Sequence, residues 1–243
     1  MTSEPGPGRR VRVVGRGRAG GSFADALAVA GWQVELVAGR GGDHAGDAAD
    51  VDLVLLAVPD GAVADVAASI EPGPAVVAHV AGSLGIEVLA PHARRGAVHP
   101  LASLPDRTVG AARLASGITF SVSGDPLAAS VVAELGGRVV ELPDDARVAY
   151  HAAATIASNH LVGLLGQVAR VAASAGLPLD AYLPLVSQTL DNVTVLGPAA
   201  ALTGPAARGD EATLARHRAA LDPAELAAYD ALAELCRRLA EER

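Results

Sequence analysis

Near the start of this chain two short apolar runs flank a glycine-rich turn, and no other feature limits the fold as tightly. Arg12-Val13-Val14 leads into Gly15-Arg16-Gly17-Arg18-Ala19-Gly20. The run Ser22 to Ala30 suits a helix, Gly31 stops it, and Val34-Glu35-Leu36-Val37-Ala38 reads as a second strand. Strand, glycine turn, helix and strand in that order form a βαβ unit of the dinucleotide-binding kind. Gly15 permits the tight turn, Gly17 lets the backbone approach a pyrophosphate, and Gly20 lets the helix pack closely on its strand. The helix N–H groups then face the phosphates. The flanking pattern supplies the context that a bare glycine triplet lacks.

The second strand ends at Gly39-Arg40, without an acidic residue. An acid there would hydrogen-bond a ribose 2′-hydroxyl, whereas an arginine suits a 2′-phosphate, so Arg40 points to NADP. A charge-assisted contact of about 1.5–3 kcal/mol corresponds to roughly a tenfold to hundredfold preference over NAD. Arg16 and Arg18 add positive charge inside the loop. The competing reading of Arg40 is a solvated loop residue.

The chain has 243 residues, 51% of them hydrophobic, enough for one large or two modest domains with a sizeable core. The net charge of −8 argues against nucleic acid as a partner, yet the first forty residues hold six Arg against Glu4, Asp25 and Glu35. No run approaches the ~18 apolar residues of a membrane span, and Arg12, Arg16 and Arg18 interrupt any signal-peptide core. These features predict a soluble cytoplasmic protein with no membrane partner. All nineteen basic side chains are Arg. The absence of lysine rules out a Schiff-base nucleophile or a lysine proton donor. Cys236 is the single cysteine, so no internal disulfide or thiolate cluster can form.

After residues 1–10, which read as a tail, strand-like and helix-like runs alternate to about Pro143. Further strands are expected over Leu53 to Val58, Ala75 to His79, Ala97 to His99, Ile118 to Val122 and Val139 to Leu142. Helices are expected over Ala62 to Ile70 and Pro126 to Leu135, and Asp60 reads as a helix cap. The alternation predicts an α/β domain over 10–143, with a largely parallel sheet covered by helices on both faces. Beyond Asp144 the pattern becomes all-helical, over Ala146 to Ala175, Leu179 to Leu196, Glu211 to Leu221 and Pro223 to Glu242. This predicts a second domain over 144–243. Its first helix is apolar on most sides, which calls for burial in that domain or against a partner subunit.

Three groups of residues could carry chemistry. In an open α/β sheet, ligands bind beyond the carboxyl ends of the strands, where His79 to Ser83 and His99-Pro100 fall. His99, oriented by the Ser83 hydroxyl, suits a proton donor at a carbonyl. Both His79 and His99 could instead satisfy backbone groups at the strand ends. His151, Thr155 and Asn159, spaced i, i+4, i+8, share one face of a helix lined with small residues. That stripe reads as a ligand contact or as a network between helices. The third group is Thr203 and Arg208, with Arg208 a planar clamp for a substrate carboxylate and Asp210 a cap for the next helix. No histidine pair has metal-ligand spacing.

The chain resembles the Rossmann-like family with a DUF2520 C-terminal domain, a branch of the 6-phosphogluconate and β-hydroxyacid dehydrogenase superfamily. The resemblance rests on Gly-Arg-Gly-Arg-Ala-Gly (15–20), Ala-Val-Pro-Asp (57–60), His-Val-Ala-Gly-Ser (79–83) and His-Pro-Leu (99–101). It continues in Tyr-His-Ala-Ala-Ala (150–154), Ser-Asn (158–159) and Leu-Thr-Gly-Pro-Ala-Ala-Arg-Gly-Asp (202–210). It implies a Rossmann domain followed by an all-helical, 6-phosphogluconate-dehydrogenase-like domain, dimeric through the helices. It also implies an NADP-dependent oxidoreductase acting on a small keto or hydroxy acid, with ketopantoate the specific expectation. Val58 and Pro59 would line the cofactor with the glycine loop, and His79, Thr155, Thr203 and Arg208 the substrate. Related reductases carry a lysine four positions before an asparagine; here Thr155 precedes Asn159, so His99 or His151 would stand in for the lysine. Prephenate dehydrogenases are similar in their Ser and His-Pro at adjacent strand ends, matching Ser83 and His99-Pro100. A prephenate-like substrate, and a cofactor-binding module without turnover, are the alternatives.

Overall fold

The computed structural model describes residues 8–242, in two compact units that divide between Ala157 and Ser158. The first unit is built on strands β1 (Arg10–Val14), β2 (Gln33–Val37), β3 (Leu53–Leu56), β4 (Val76–His79), β5 (Arg95–Pro100), β6 (Thr119–Gly124) and β7 (Arg138–Glu141). They lie side by side in the order β2-β1-β3-β4-β5-β6-β7. Helices α1 (Arg18–Val29), α2 (Val63–Ser69), α3 (Arg107–Leu114) and α4 (Leu127–Glu134) connect them, and α5 (Arg147–Thr155) closes the unit.

Side chains alternate across a strand, so each central strand feeds two cores. Val11, Val13, Leu53 and Leu55 pack with Phe23 and Leu27 of α1 on one face. Val14, Val54 and Leu56 pack with Val63 and Ala67 of α2 on the other. A strand buried on both faces reads as a continuous apolar run, which is why Leu53-Val54-Leu55-Leu56 shows no alternation.

The expected sheet is largely parallel, and it is so except between β5 and β6, which run antiparallel. The segment joining them is taken up by α3, a helix the sequence reading did not identify, which docks on α1 instead of recrossing the sheet. Arg107 reaches Asp25 at 2.6 Å, and Ser22 Oγ donates to the Asp106 carbonyl at 3.3 Å. A Cβ at Gly110 would lie 2.0 Å from Ser22 Oγ, so the two helices meet only because that position is glycine. Strand β3 stops at Leu56, short of the expected Val58, because Ala57 already turns beside the glycine loop.

The second unit contains α6 (Leu161–Ser174), α7 (Leu183–Leu196), the single turn α8 (Pro198–Ala201), α9 (Glu211–Ala220) and α10 (Pro223–Ala240). Asp210 caps α9 by accepting from Thr213 N at 3.0 Å, as its sequence position predicts. Ala172, Leu214 and Ala233 form a small interior. Beside it Gln167 donates to the Glu225 carbonyl at 2.9 Å and Arg170 pairs with the Glu225 carboxylate. None of the fourteen residues of α7 is buried, although Leu183, Leu185, Leu190 and Leu196 are apolar.

The strands end at Glu141, yet the division between units comes at Ala157, later than the expected change at 143/144. The reason is local: Arg147 and Tyr150 tie α5 to the sheet through Ser123 and His99. A π-helical turn, Ile156–His160, follows α5 and interrupts the single helix expected over Ala146 to Ala175. Among the described residues no single helix is long and apolar enough to cross a membrane.

Candidate active site at the strand ends

The glycine loop after β1 assigns three different reasons to its three glycines. Gly15 has φ +120°, open to glycine but strained for any L side chain, and a Cβ there would sit 2.3 Å from the Ala57 carbonyl oxygen. At Gly20 a Cβ would lie 1.8 Å from the Gly15 carbonyl oxygen, so α1 can start this close to β1 only without one. At Gly17 a Cβ would meet nothing within 4 Å. The fold itself does not require glycine there; the open space suits a ligand that comes against the backbone. Gly17 is also the N-cap of α1 and no side chain caps that end, which leaves helix N–H groups free for an anion.

Positive charge surrounds this turn, none of it in an ion pair among the described residues. Arg18 and Arg40 are exposed and form no ion pair among the described residues, and Arg16 reaches only the Leu36 carbonyl at 3.5 Å. By contrast Arg9, Arg10 and Arg12 nearby in sequence are paired with Glu134, Asp50 and Glu35. Val58 closes the other side, with its Cγ1 2.5 Å from where a Gly39 Cβ would be. These residues fit a dinucleotide diphosphate bearing an additional phosphate.

A second constellation lies beyond β4 and β5. His99, near the end of β5, has Nδ1 2.8 Å from the Tyr150 hydroxyl, with the rings edge-on at 5.5 Å. His151 stands edge-on to the same imidazole at 5.8 Å. Both histidines close over Gly82, where a Cβ would be 2.5 Å from His151 Cδ2 and 2.8 Å from His99 Nε2. Burial pushes the His99 pKa down to about 4, and the charges of His151 and Arg147 push the same way, so the imidazole is neutral at physiological pH. Burial also raises the Tyr150 phenol above its ordinary value, keeping it protonated.

Beneath the cluster lies Arg147, fully buried, bonded to Ser123 Oγ at 2.7 Å and to Asp144 Oδ1 at 3.1 Å. Its Nη1, together with Ser121 Oγ and His79 Nδ1, is buried without a protein partner. Sequence reasoning found no role for Arg147, Tyr150 or Gly82. Tyr150 and His99 are fifty-one residues apart and no local pattern joins them.

Several expectations need correction. Ser83 does not orient His99; its hydroxyl donates to Asp60 Oδ2 at 3.1 Å, and the partner of His99 is Tyr150. Asp60 makes no cap bond, because Pro59 takes the N-cap position of the turn Asp60–Ala62. His79 does not face a crevice: it is 0% exposed and its Nε2 lies 3.2 Å from the Gly85 carbonyl, so it satisfies backbone at a strand end. The single face expected for His151, Thr155 and Asn159 does not follow from the local geometry. Asn159 lies inside the π turn, where the regular α-helical spacing is lost.

In the second unit Asn159 and Arg208 are exposed, Arg208 in the short turn Ala206–Arg208. Thr203 lines an apolar cavity of about 680 Å³ together with Gln167, Tyr182, His217, Tyr229 and Cys236. Among the described residues no group of three His, Cys, Asp or Glu is placed to share a metal ion.

Sheet order, glycine turn and appended helical unit define a Rossmann-type protein with a helical C-terminal part. The chain belongs to the family that carries the domain of unknown function DUF2520, whose model matches residues 115–236, with a Rossmann-like domain matched over 43–105. Similar solved structures share the fold along nearly the whole chain. A Bacteroides fragilis protein described as a candidate NADP oxidoreductase is 23% identical, with TM-score 0.82 over 96% of this chain and 99% of that one. A Thermotoga maritima protein is 26% identical, with TM-score 0.72 over 96% and 98%. An Aspergillus terreus reductive aminase in complex with NADPH and ethyl levulinate is 17% identical, with TM-score 0.70 over 95% and 94%. No curated protein sequence matches the chain significantly.

Proposed function

We propose that this chain is an NADP-dependent oxidoreductase that reduces a small 2-keto acid, with ketopantoate the first substrate to test. The observation that carries the reading is the glycine turn with an open Gly17 and the uncommitted Arg16, Arg18 and Arg40, in the same unit as the imidazole cluster at the strand ends. Proteins of this fold named for NADP or NADPH add support. Gly15 to Gly20, Val58 and Pro59 hold the dinucleotide, and Arg40 answers its 2′-phosphate. The bound cofactor supplies the hydride.

The chain's own residues supply the rest. His99 and His151 are the groups at Gly82 that can donate a hydrogen bond or a proton to the substrate oxygen. Asn159 and Arg208 in the helical unit are the side chains assigned to orient the substrate and pair its carboxylate. That unit also joins a second copy of the chain, since α7 leaves its apolar residues uncovered. The protein works in the cytoplasm.

A second reading, reduction of a C=N bond, is favoured by one observation. There is no lysine, and His99, neutral near physiological pH with a pKa of about 4, offers a hydrogen bond but is a weak source of a proton. An iminium substrate arrives already protonated and needs none.

The test is a fluorescence titration with NADPH and with NADH, repeated on Arg40→Ala, followed by ketopantoate and then a cyclic imine while reduced-cofactor absorbance is monitored. NADPH preference lost in Arg40→Ala, with oxidation on adding the keto acid, supports the leading reading. Oxidation only with the imine supports the second. Binding without oxidation leaves a cofactor-binding module, and no binding overturns all three.

A further inference from the structure

We propose that Tyr150 is the positioning residue of this site: its hydroxyl donates to Nδ1 of His99 and thereby fixes the imidazole proton on Nε2, above Gly82. Its catalytic meaning rests on the oxidoreductase reading, in which His99 becomes a neutral hydrogen-bond donor to the reacting oxygen or nitrogen. His99, not His151, is then the residue that takes the place of the family lysine.

The geometry leaves the imidazole little choice. The Tyr150 hydroxyl is hydrogen-bonded to His99 Nδ1 at 2.8 Å, and the nearby Ser121 hydroxyl acts on the phenol oxygen as a donor does, which leaves the phenol proton for the imidazole. A phenol is the better donor and an unprotonated imidazole nitrogen the better acceptor, so the proton of the ring is left on the far nitrogen. His99 Nε2 has no protein partner among the described residues and, unlike Nδ1 of His79, it is not sealed from solvent. It lies against Gly82, the position where a side chain would push it away. Tyr150 and His151 both stand nearly perpendicular to the imidazole, with ring centroids 5.5 and 5.8 Å away. A donor fixed in place before the substrate arrives needs no reorganisation when charge develops on the acceptor. The depressed basicity of His99 agrees, because an imidazolium would lose its acceptor for the Tyr150 proton.

His151 has no comparable anchor. Its ring meets His99 edge-to-face, and among the described residues no hydrogen bond fixes either of its nitrogens. A catalytic donor needs its supporting contact as much as its own position.

The test is nitrogen-15 NMR of the full-length protein labelled at histidine, near neutral pH, with and without NADPH. The expected spectrum shows His99 with a protonated Nε2 and an unprotonated Nδ1. Tyr150→Phe should turn this into a mixture of tautomers while circular dichroism stays unchanged, and should lower kcat by about tenfold with KM little altered. His99→Ala should cost about a hundredfold or more, the loss of one preorganised donor. His99→Gln, which keeps an N–H near Nε2, should recover part of that loss, and His99→Asn should not. A proton on Nδ1 in the wild-type protein, or a tautomer unmoved by Tyr150→Phe, overturns the proposal. An Nε2 proton without turnover on any acceptor supports the hold of Tyr150 on His99 and overturns the oxidoreductase reading instead.

Discussion

The Tyr150 hydroxyl and His99 Nδ1 meet at 2.8 Å, joining the end of β5 to a helix that begins after the last strand. The bond does two things for the first unit. It fastens α5 to the sheet, and it sets a phenol against one nitrogen of an imidazole whose other nitrogen lies at Gly82.

Stability should depend on pH through His99. Its folded pKa of about 4 lies below the 6.5 of an ordinary histidine, so as pH falls the unfolded chain takes up the proton first. The stability is complete above 6.5 and is lost on the way down to about 4. The loss is roughly 3 kcal/mol. His79, also lowered chiefly by burial, changes in the same direction. Unfolding free energies taken from urea midpoints near pH 7.5 and near 4.5 should therefore differ by roughly that energy, and the difference should shrink in His99→Gln. Equal midpoints would show that the fold does not hold this ring neutral.

The glycine turn separates folding from binding. Gly20→Ala places a methyl 1.8 Å from the Gly15 carbonyl oxygen and should destabilise the chain by about 1–3 kcal/mol or more. Gly17→Ala meets no atom and should melt within about 1 kcal/mol of wild type. It should nevertheless weaken NADPH about tenfold, because the methyl occupies the approach to the backbone. Calorimetric melting and a cofactor titration on both variants check the contrast.

Arg147 is a buried cation whose charge helps hold His99 neutral. Arg147→Met should cost roughly 2–3 kcal/mol, less than a sealed pair because Asp144 keeps some access to water. It should also raise the His99 pKa, readable as a shift in the imidazole titration by NMR. Arg147→Lys should not restore stability, since an ammonium cannot span Ser123 and Asp144 as the planar fork does. An unmoved His99 titration in Arg147→Met would remove Arg147 from the account of that ring.

The uncovered apolar surface of α7 makes a prediction about assembly. Leu185 and Leu190 are 59% and 52% exposed. Introducing Leu185→Glu with Leu190→Glu should move the chain from dimer to monomer in analytical ultracentrifugation and leave its helix content unchanged. A wild-type monomer at micromolar concentration would refute the second-copy reading of this surface.

Much of the architecture was legible because it is written locally. The strand, glycine turn and helix at 12–30 and the unbroken apolar run at Leu53 are each visible in a short window, as is the Asp210 cap. Helix α3 was missed because its composition is polar, with Arg107, Thr108, Gly110 and Arg113 among its eight residues; its one clear sign is Asp106, which accepts from Val109 N at 2.8 Å. The antiparallel β5–β6 pair depends on how α3 docks on α1, a long-range choice with no local signature. At the site, His99 and His151 were identified by residue type, whereas Ser83 was given to His99 because both fall at strand ends and Asp60 to a helix cap because of its local position; Ser83 and Asp60 instead bond each other and His99 meets Tyr150. Hydrogen bonds between residues far apart in the chain decided those positions.

All of the imidazole cluster, with Arg147 and Asp144 beneath it, is encoded before Ser158, where the first unit ends. A recombination event at that point would exchange every helix that follows and leave the imidazole rings with their supports intact. The gene is in this sense modular: the ring cluster is inherited with the sheet, and the helices that follow can change without rebuilding it.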